Sequence, residues 1–222
     1  DADLAPPERA SGPPAAESRL LDRALATVDQ ELNATVRDAS ARGAVGEAGI
    51  FAVHRVLLED PTLVDAARDL ISLGKSAGFA WREAIRAQIA VLAHVEDMLL
   101  AERAADLRDI EKRVLRVLGH TNPAARTLPE EAILAANEFT PSDLSSLDRT
   151  RVSALVMAAG GATSHAAIIA RQLGIPALVA VGDALHAIPD GTQVVVDASA
   201  GRLEYAPTQL DVERARLERE RL

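Results

Sequence analysis

The sequence predicts a chain in two parts, an all-α antiparallel four-helix bundle followed by a small α/β domain. Three observations predict it. Apolar residues recur at steps of three and four from about residue 16 to 121. Beyond Pro129 the apolar runs shorten to a few residues each, bounded by Gly, Pro, Asp and Ser. Between two of those runs stands Gly160-Gly161-Ala162-Thr163-Ser164-His165, a string suited to a tight turn that opens a helix.

Residues 1–15 are rich in Pro, Ala and Gly and read as a flexible or extended lead-in. From Ala16 the stripe Leu21, Leu25, Val28, Leu32, Val36 predicts a first helix that ends near Arg42-Gly43. A second covers about Gly46 to Leu58. Pro61 interrupts it, and Leu63, Ala67, Leu70 and Ile71 carry the stripe on to Gly74. A third runs from about Ala80 through Trp81, Ile85, Ile89, Leu92 and Val95 to Leu99. The fourth, about Asp106 to Leu118, carries Leu107, Ile110, Val114 and Val117 and stops at Gly119. Short joints between amphipathic helices predict antiparallel neighbours, here over residues 16–121.

The α/β part is placed at residues 122–207. Its strands are expected at Ile133–Ala136, Ala154–Met157, Ala177–Val181, Gln193–Asp197 and Leu203–Tyr205, with helical stretches at Ser142–Leu147 and Ala166–Leu173. Thr163 or Ser164 would cap the second stretch, Gly174 would end it and Pro176 would prevent its continuation. His165 then lies in the first turn of a helix that leaves a strand through a Gly-rich loop. Backbone N–H groups and the positive end of the helix dipole converge there, which suits an anion. The dipole also disfavours a second proton on the imidazole and keeps a ring nitrogen nucleophilic near neutral pH. By spacing alone, such a histidine serves equally well as a capping or packing residue. The charged tail, residues 208–222, has too thin an apolar stripe to fold alone and reads as a linker helix.

Composition narrows the function. A net charge of −9 argues against nucleic acid, whose phosphates demand a basic face, and aromatics at 2% leave no stacking platform. The acidic balance favours a basic protein partner or plain solubility. Cysteine is absent, so disulfides and thiolate metal sites are excluded, and a cytoplasmic location fits. No apolar run approaches the roughly 18 residues of a membrane span, so no membrane insertion is expected. No His, Asp and Glu cluster has metal-ligand spacing, and none of the other histidines, His94, His120 and His186, has a neighbouring ligand set.

The string GGATSHAAIIARQLGIPALV resembles the phosphohistidine motif of the phosphoenolpyruvate-utilising enzymes, a family that includes Enzyme I of the sugar phosphotransferase system and the dikinases. Three further segments, all in order, resemble Enzyme I: Leu57-Leu58-Glu59-Asp60-Pro61, Glu102 to Ile110 (ERAADLRDI) with Lys112 and Arg113, and Phe139-Thr140-Pro141-Ser142-Asp143. The resemblance spans about residues 17 to 220. It implies that the α/β part is a swivelling phosphohistidine domain and the helical part a docking domain for HPr, a small histidine phosphocarrier protein or domain. His165 falls on the phosphorylated position, with Gly160, Gly161, Thr163 and Ser164 as its phosphate loop and Arg171 on the arginine of the family's AR pair.

The same resemblance puts His54, Leu57, Leu58 and Glu59 on the HPr-facing side of the second helix. Leu99, Leu100, Arg103 and Arg108 fall on that side at the junction of the third and fourth. Glu47 and Glu59 are candidate complements to the positive charge around HPr's histidine. Arg103 and Arg108 could instead pair with acids on their own helix, and Arg171 could be a plain exposed residue. Two positions depart from the family: Ala162 stands where most relatives carry Arg, and Leu144 where Enzyme I commonly has a Thr that bonds the active histidine, with Ser142, Ser145 or Ser146 as candidates to stand in for it. No cofactor is expected in this chain. Magnesium and phosphoenolpyruvate belong to a C-terminal barrel that would follow Leu222, and the family's opening strand, which completes the α/β sheet, has no counterpart before Asp1. A phosphohistidine domain of a dikinase and a noncatalytic regulatory paralogue stay open as alternatives.

Overall fold

A computed structural model describes residues 5–92, 98–120, 128–145 and 147–219. The chain divides into two compact units, Asp1–Arg126 and Thr127–Leu222.

The first unit is helical. Its elements are α1 (Pro14–Ala41), α2 (Val45–Leu58), α3 (Pro61–Ser72), α4 (Ala77–Leu92) and α5 (Met98–Val117). Pro61 does not merely interrupt a helix. It occupies the first turn of α3, and Asp60 caps that helix by accepting from the Thr62 N–H at 2.9 Å. The apolar stripes meet in one core built on Leu21, Val28, Leu32, Phe51, Leu63, Ile71, Trp81, Ile85, Leu107, Ile110 and Val114, all nearly inaccessible. The expected third helix corresponds to α4 as far as Leu92, residues 93–97 lie outside the described residues, and Met98 onward belongs to α5. Glu102 and Arg103, which look like a joint in the sequence, are helical residues of α5. Val95 and His94 lie outside the described residues.

The lead-in differs from a flexible segment. Glu8 accepts from the Ser76 N–H at 3.1 Å, the Ala10 N–H donates to Gly74 at 3.1 Å, and Arg9 bridges antiparallel to Lys75. Lys75 pairs with Glu8, and the Ser76 hydroxyl donates to the Pro7 carbonyl. Pro6 is buried. The prolines thus hold an extended strand against the α3–α4 turn, where the missing N–H donors are not needed. Beneath it the buried Glu17 carboxylate accepts from the Ala77 N–H at 2.9 Å, at the positive end of α4.

The second unit begins with a three-stranded parallel sheet in the order β1 (Ala132–Ala136), β2 (Val152–Met157), β3 (Ala177–Leu178). Helix α6 (Pro141–Ser145) lies between β1 and β2 in the chain, and α7 (His165–Gln172) between β2 and β3. The central strand β2 is buried almost throughout, which explains its unbroken apolar run. After a 3₁₀ turn at Asp183–Ala187, β4 (Val194–Asp197) and β5 (Arg202–Tyr205) form a separate antiparallel hairpin. Val156, Ala158 and Leu185 centre a core joined by Ile133, Leu178, Val181, Ile188, Val196 and Leu203. The expected strand at Ala177–Val181 is therefore only two residues long. The final helix, α8 (Gln209–Arg219), buries no residue and is held by ion pairs from Arg216 and Arg219 to Glu131, at 2.8 and 3.0 Å.

Candidate functional site

Strand β2 delivers the site. Past its end the chain stays tied to β1: the Ala158 N–H donates to Ala136 and the Ala159 N–H to Asn137, at 3.0 and 2.9 Å. Gly160 then turns with φ 85°, a left-handed conformation that side chains with a Cβ rarely adopt. The Ser164 N–H closes the turn on the Gly161 carbonyl at 3.0 Å. Ser164 takes an extended conformation and its hydroxyl accepts from the Ala167 N–H at 3.3 Å, so Ser164, not Thr163, is the N-cap.

His165 is the first residue of α7 and is half-buried. Ala166, Ala167, Ile169 and Ala170 bury the inner face of the helix, which fixes its axis and so the direction from which the imidazole projects. Ala162 and Thr163 are exposed on the turn. The site lies beyond the carboxyl ends of two parallel strands, where open α/β sheets bind ligands. Gly160, Gly161, Thr163, Ser164 and His165 are thus brought together, as a loop rich in backbone amides ahead of a helix N-terminus.

Arg171 is not part of that loop. It sits in the last turn of α7 and is exposed. Six residues of α-helix advance about 9 Å and turn the side chain well away from His165. Leu144 is almost completely buried, in α6, which packs on α7. Ser145 donates to the Pro141 carbonyl at 2.7 Å and is committed within its own helix. Ser142 is half-buried beside Leu144, and Ser146 lies outside the described residues. Helix α6 is opened by a reciprocal pair, in which the Thr140 N–H donates to Asp143 at 2.9 Å and the Asp143 N–H to the Thr140 hydroxyl at 3.2 Å.

A residue the sequence reading missed stands at this loop. Glu138, just past β1, carries a carboxylate oxygen 3.8 Å from the position a Cβ would take on Gly160. The signal was available, since residues following adjacent parallel strands share one edge of the sheet.

The expected partner-facing residues separate sharply. His54, Leu57 and Leu58 are buried at 0%, 3% and 2% exposure, so they cannot touch a partner across an intact surface. They lie on the face of α2 that packs into the bundle, which is the correction to their sequence assignment. Glu47 is also buried, held by Arg42 through both oxygens at 3.2 Å. Glu59, at the C-cap of α2, and Arg108 are exposed, whereas Leu100 and Arg103 are half-buried. The side chain of Leu99 lies outside the described residues.

His54 has partners that its helix did not announce. Nε2 is 2.9 Å from Asp106 Oδ1, and Nδ1 makes an ion-pair contact at 3.2 Å with Asp109 Oδ2. The same Asp109 oxygen takes Arg113 Nε at 3.1 Å, and Arg113 lies over the Phe51 ring at 5.2 Å. Burial pulls the His54 pKa down, but hydrogen bonds and charge from Asp106 and Asp109 more than offset it, leaving it raised. His120 is half-buried against Gly78, and His186 is exposed. Among the described residues no group of three or more His, Asp or Glu could hold a metal ion, and no helix is long and apolar enough to cross a membrane.

Comparison with known proteins matches both units. The N-terminal model of the PEP-utilising enzymes matches residues 3–103, and the mobile-domain model of the same enzymes matches residues 128–201. A multiphosphoryl transfer protein of Rhodobacter capsulatus is 44% identical over 76% of this chain and 20% of its own length. A phosphoenolpyruvate-protein phosphotransferase of Enterococcus faecalis is 38% identical over 92% of this chain and 36% of its own. The chain thus spans about a fifth to two-fifths of the curated relatives it matches. An NMR solution structure of Enzyme I superposes with a TM-score of 0.64 at 30% identity, over 93% of this chain and 84% of that one. An N-terminal domain of the nitrogen Enzyme I gives 0.61 at 29% identity, over 98% and 90%.

Proposed function

Because this chain belongs to the family of phosphoenolpyruvate-utilising enzymes, with their N-terminal and mobile domains, we propose that it carries a phosphoryl group on His165. In the longer protein that group comes from phosphoenolpyruvate and passes to the histidine of HPr, in bacterial sugar uptake by the phosphotransferase system. The observation that carries this reading is the placement of His165 as the first residue of α7, behind a Gly160-Gly161 turn capped by Ser164. The compartment of such a relay is the cytoplasm.

Transfer between two histidines needs little covalent chemistry. A neutral ring nitrogen of His165 attacks phosphorus with its lone pair, in line with the bond to the donor's nitrogen. That bond breaks and the donor imidazole leaves with its electron pair. The donor takes up the proton that the newly phosphorylated ring gives up, so charge and protons balance. The phosphoryl oxygens face the amide-rich turn and the positive end of α7, which supply stabilisation without a side-chain cation. With Ala162 in the loop and Arg171 at the far end of the helix, backbone amides carry that role. Phosphohistidine lies on both sides of the reaction, so it runs in either direction.

Docking belongs to the helical unit. Glu59 and Arg108 are exposed, and Leu100 and Arg103 partly so, on or at the ends of α2 and α5. Among the described residues of the expected HPr-facing set, they are the ones a partner can reach. The test is transfer of labelled phosphate from phospho-HPr to this chain beside a His165→Ala control. Acid-labile, alkali-stable label that disappears in the control supports the reading. Binding to HPr without label points to a noncatalytic relative, and neither binding nor label points to a dikinase-type domain.

A further inference from the structure

The chain buries a charged group that phosphoryl transfer does not use. We propose that His54 is an imidazolium clamp: through Nε2 to Asp106 and Nδ1 to Asp109 it fixes α2 against α5, and so positions Glu59, Arg103 and Arg108 for docking. Only the last clause rests on the docking reading above.

The geometry favours a charged ring. A neutral imidazole has one N–H and one lone pair, so one of its nitrogens would turn a lone pair toward a carboxylate. Both nitrogens here lie within ion-pair distance of carboxylate oxygens, Nε2 hydrogen-bonded to Asp106 at 2.9 Å and Nδ1 3.2 Å from Asp109 without hydrogen-bond alignment, and the ring is completely inaccessible. Asp106, Asp109 and Arg113 are all buried beside the ring, so an imidazolium places its charge where carboxylates balance it. The other packed element is α1, whose Asp29 reaches α2 but is held by Arg55 at 2.7 Å. Glu47, on α2 itself, is held by Arg42.

The clamp lies on the two helices that carry or end at the reachable docking residues. Arg103 stands one helical turn before Asp106, Arg108 adjoins Asp109, and Glu59 ends the helix that carries His54. Loss of the second proton would change the spacing of α2 and α5 at that point and carry these side chains with it. The raised pKa of His54 supports the same charge state.

The experiment is a pH titration of the chain alone by ¹⁵N-resolved NMR of the imidazole rings and backbone amides. His54 is expected to titrate with a midpoint above the ordinary histidine value near 6.5, both nitrogens being protonated below it. The amides of Glu59, Arg103 and Arg108 are expected to move with that midpoint. Asp106→Asn should lower it by about one unit, a tenfold loss of proton affinity. With HPr added, the same variant should bind several-fold more weakly above its lowered midpoint and approach wild type below it.

A midpoint at or below the ordinary value near 6.5 overturns the clamp, and so does a ring that titrates while the three amides stay still. Asp106→Asn that binds HPr equally at every pH overturns the positioning role. If that variant does not fold, the wild-type titration decides alone. Absence of any HPr binding by the wild type would refute the docking reading and leave the ring's charge state to be judged by its own titration.

Discussion

Gly160 is the residue on which the loop ahead of α7 turns. Its φ of 85° lies where any Cβ is strained, although the space a methyl group would enter holds only ordinary contacts, 3.6 Å to Ser164 Oγ and 3.8 Å to Glu138. Gly160→Ala should therefore cost about 1 kcal/mol through the backbone and not through a clash. Thermal unfolding of the variant measures it, and an unchanged melting temperature would show that the turn relaxes freely. Gly78 presents the opposite case. A Cβ there would meet the His120 ring at 2.7 Å and Pro6 at 2.9 Å. Alanine gains about 1 kcal/mol in helix propensity at such a position, but the collision should reverse the sign. Gly78→Ala is expected to be less stable than wild type, and adding His120→Ala should recover part of the loss. No recovery would mean that Pro6, and not the ring, is the obstacle.

The turn of Gly160 was legible in the sequence because its chemistry is local: glycine for the conformation, Ser164 for the cap. The surroundings of His54 were not. Its partner Asp106 stands 52 residues away, and nothing in the pattern around α2 says that a polar residue on its apolar face finds a carboxylate there. Position in a motif put His54, Leu57 and Leu58 on the partner-facing side, whereas burial put them in the core. A helix has two faces, and a motif marks the helix without saying which face each residue takes.

At the scale of elements, α2 and α5 are joined by ionic contacts as well as apolar ones, and that junction has a pH signature. His54 is raised in the folded chain, so its contribution to stability is fully present below the unfolded value of about 6.5. It is lost as pH rises through the folded value, because the unfolded ring gives up its proton first. The helical unit should therefore unfold at lower denaturant as pH goes from about 6 to 9, and His54→Gln should remove that dependence. Denaturation followed by the circular dichroism of the helices would show it. A pH dependence that persists in His54→Gln would assign the effect elsewhere.

Element boundaries show where periodicity informs and where it misleads. The stripe of α1 and its end near Arg42 follow from a regular pattern and a glycine just beyond. The start of α5 was misplaced because charged residues on a helix's outer face look like a break when they come two together. The lead-in, flexible or extended by its Pro and Gly content, is extended and packed. What holds it is a set of bonds to residues 74–76, invisible at a separation of more than sixty residues.

For the whole molecule, the apolar period changes from helix to strand where one unit gives way to the next, and the second unit is a parallel sheet with a separate hairpin. Net charge gives a prediction at this scale. A chain of −9 that docks a basic partner should associate faster at low salt, with the rate falling steeply as ionic strength rises. Stopped-flow mixing with HPr would measure it, and a rate independent of salt would place the contact on apolar residues such as Leu100.

The central claim is that one of the five histidines, His165, is the phosphoryl carrier. The most direct test is ³¹P NMR of the chain labelled with ¹⁵N-histidine, after exposure to phospho-HPr, with His165→Gln beside it. The account predicts a single phosphoramidate signal coupled to a ring nitrogen, absent from the variant. A signal that survives in His165→Gln would contradict it, because the phosphoryl group would then sit on a histidine outside the Gly160-Gly161 turn.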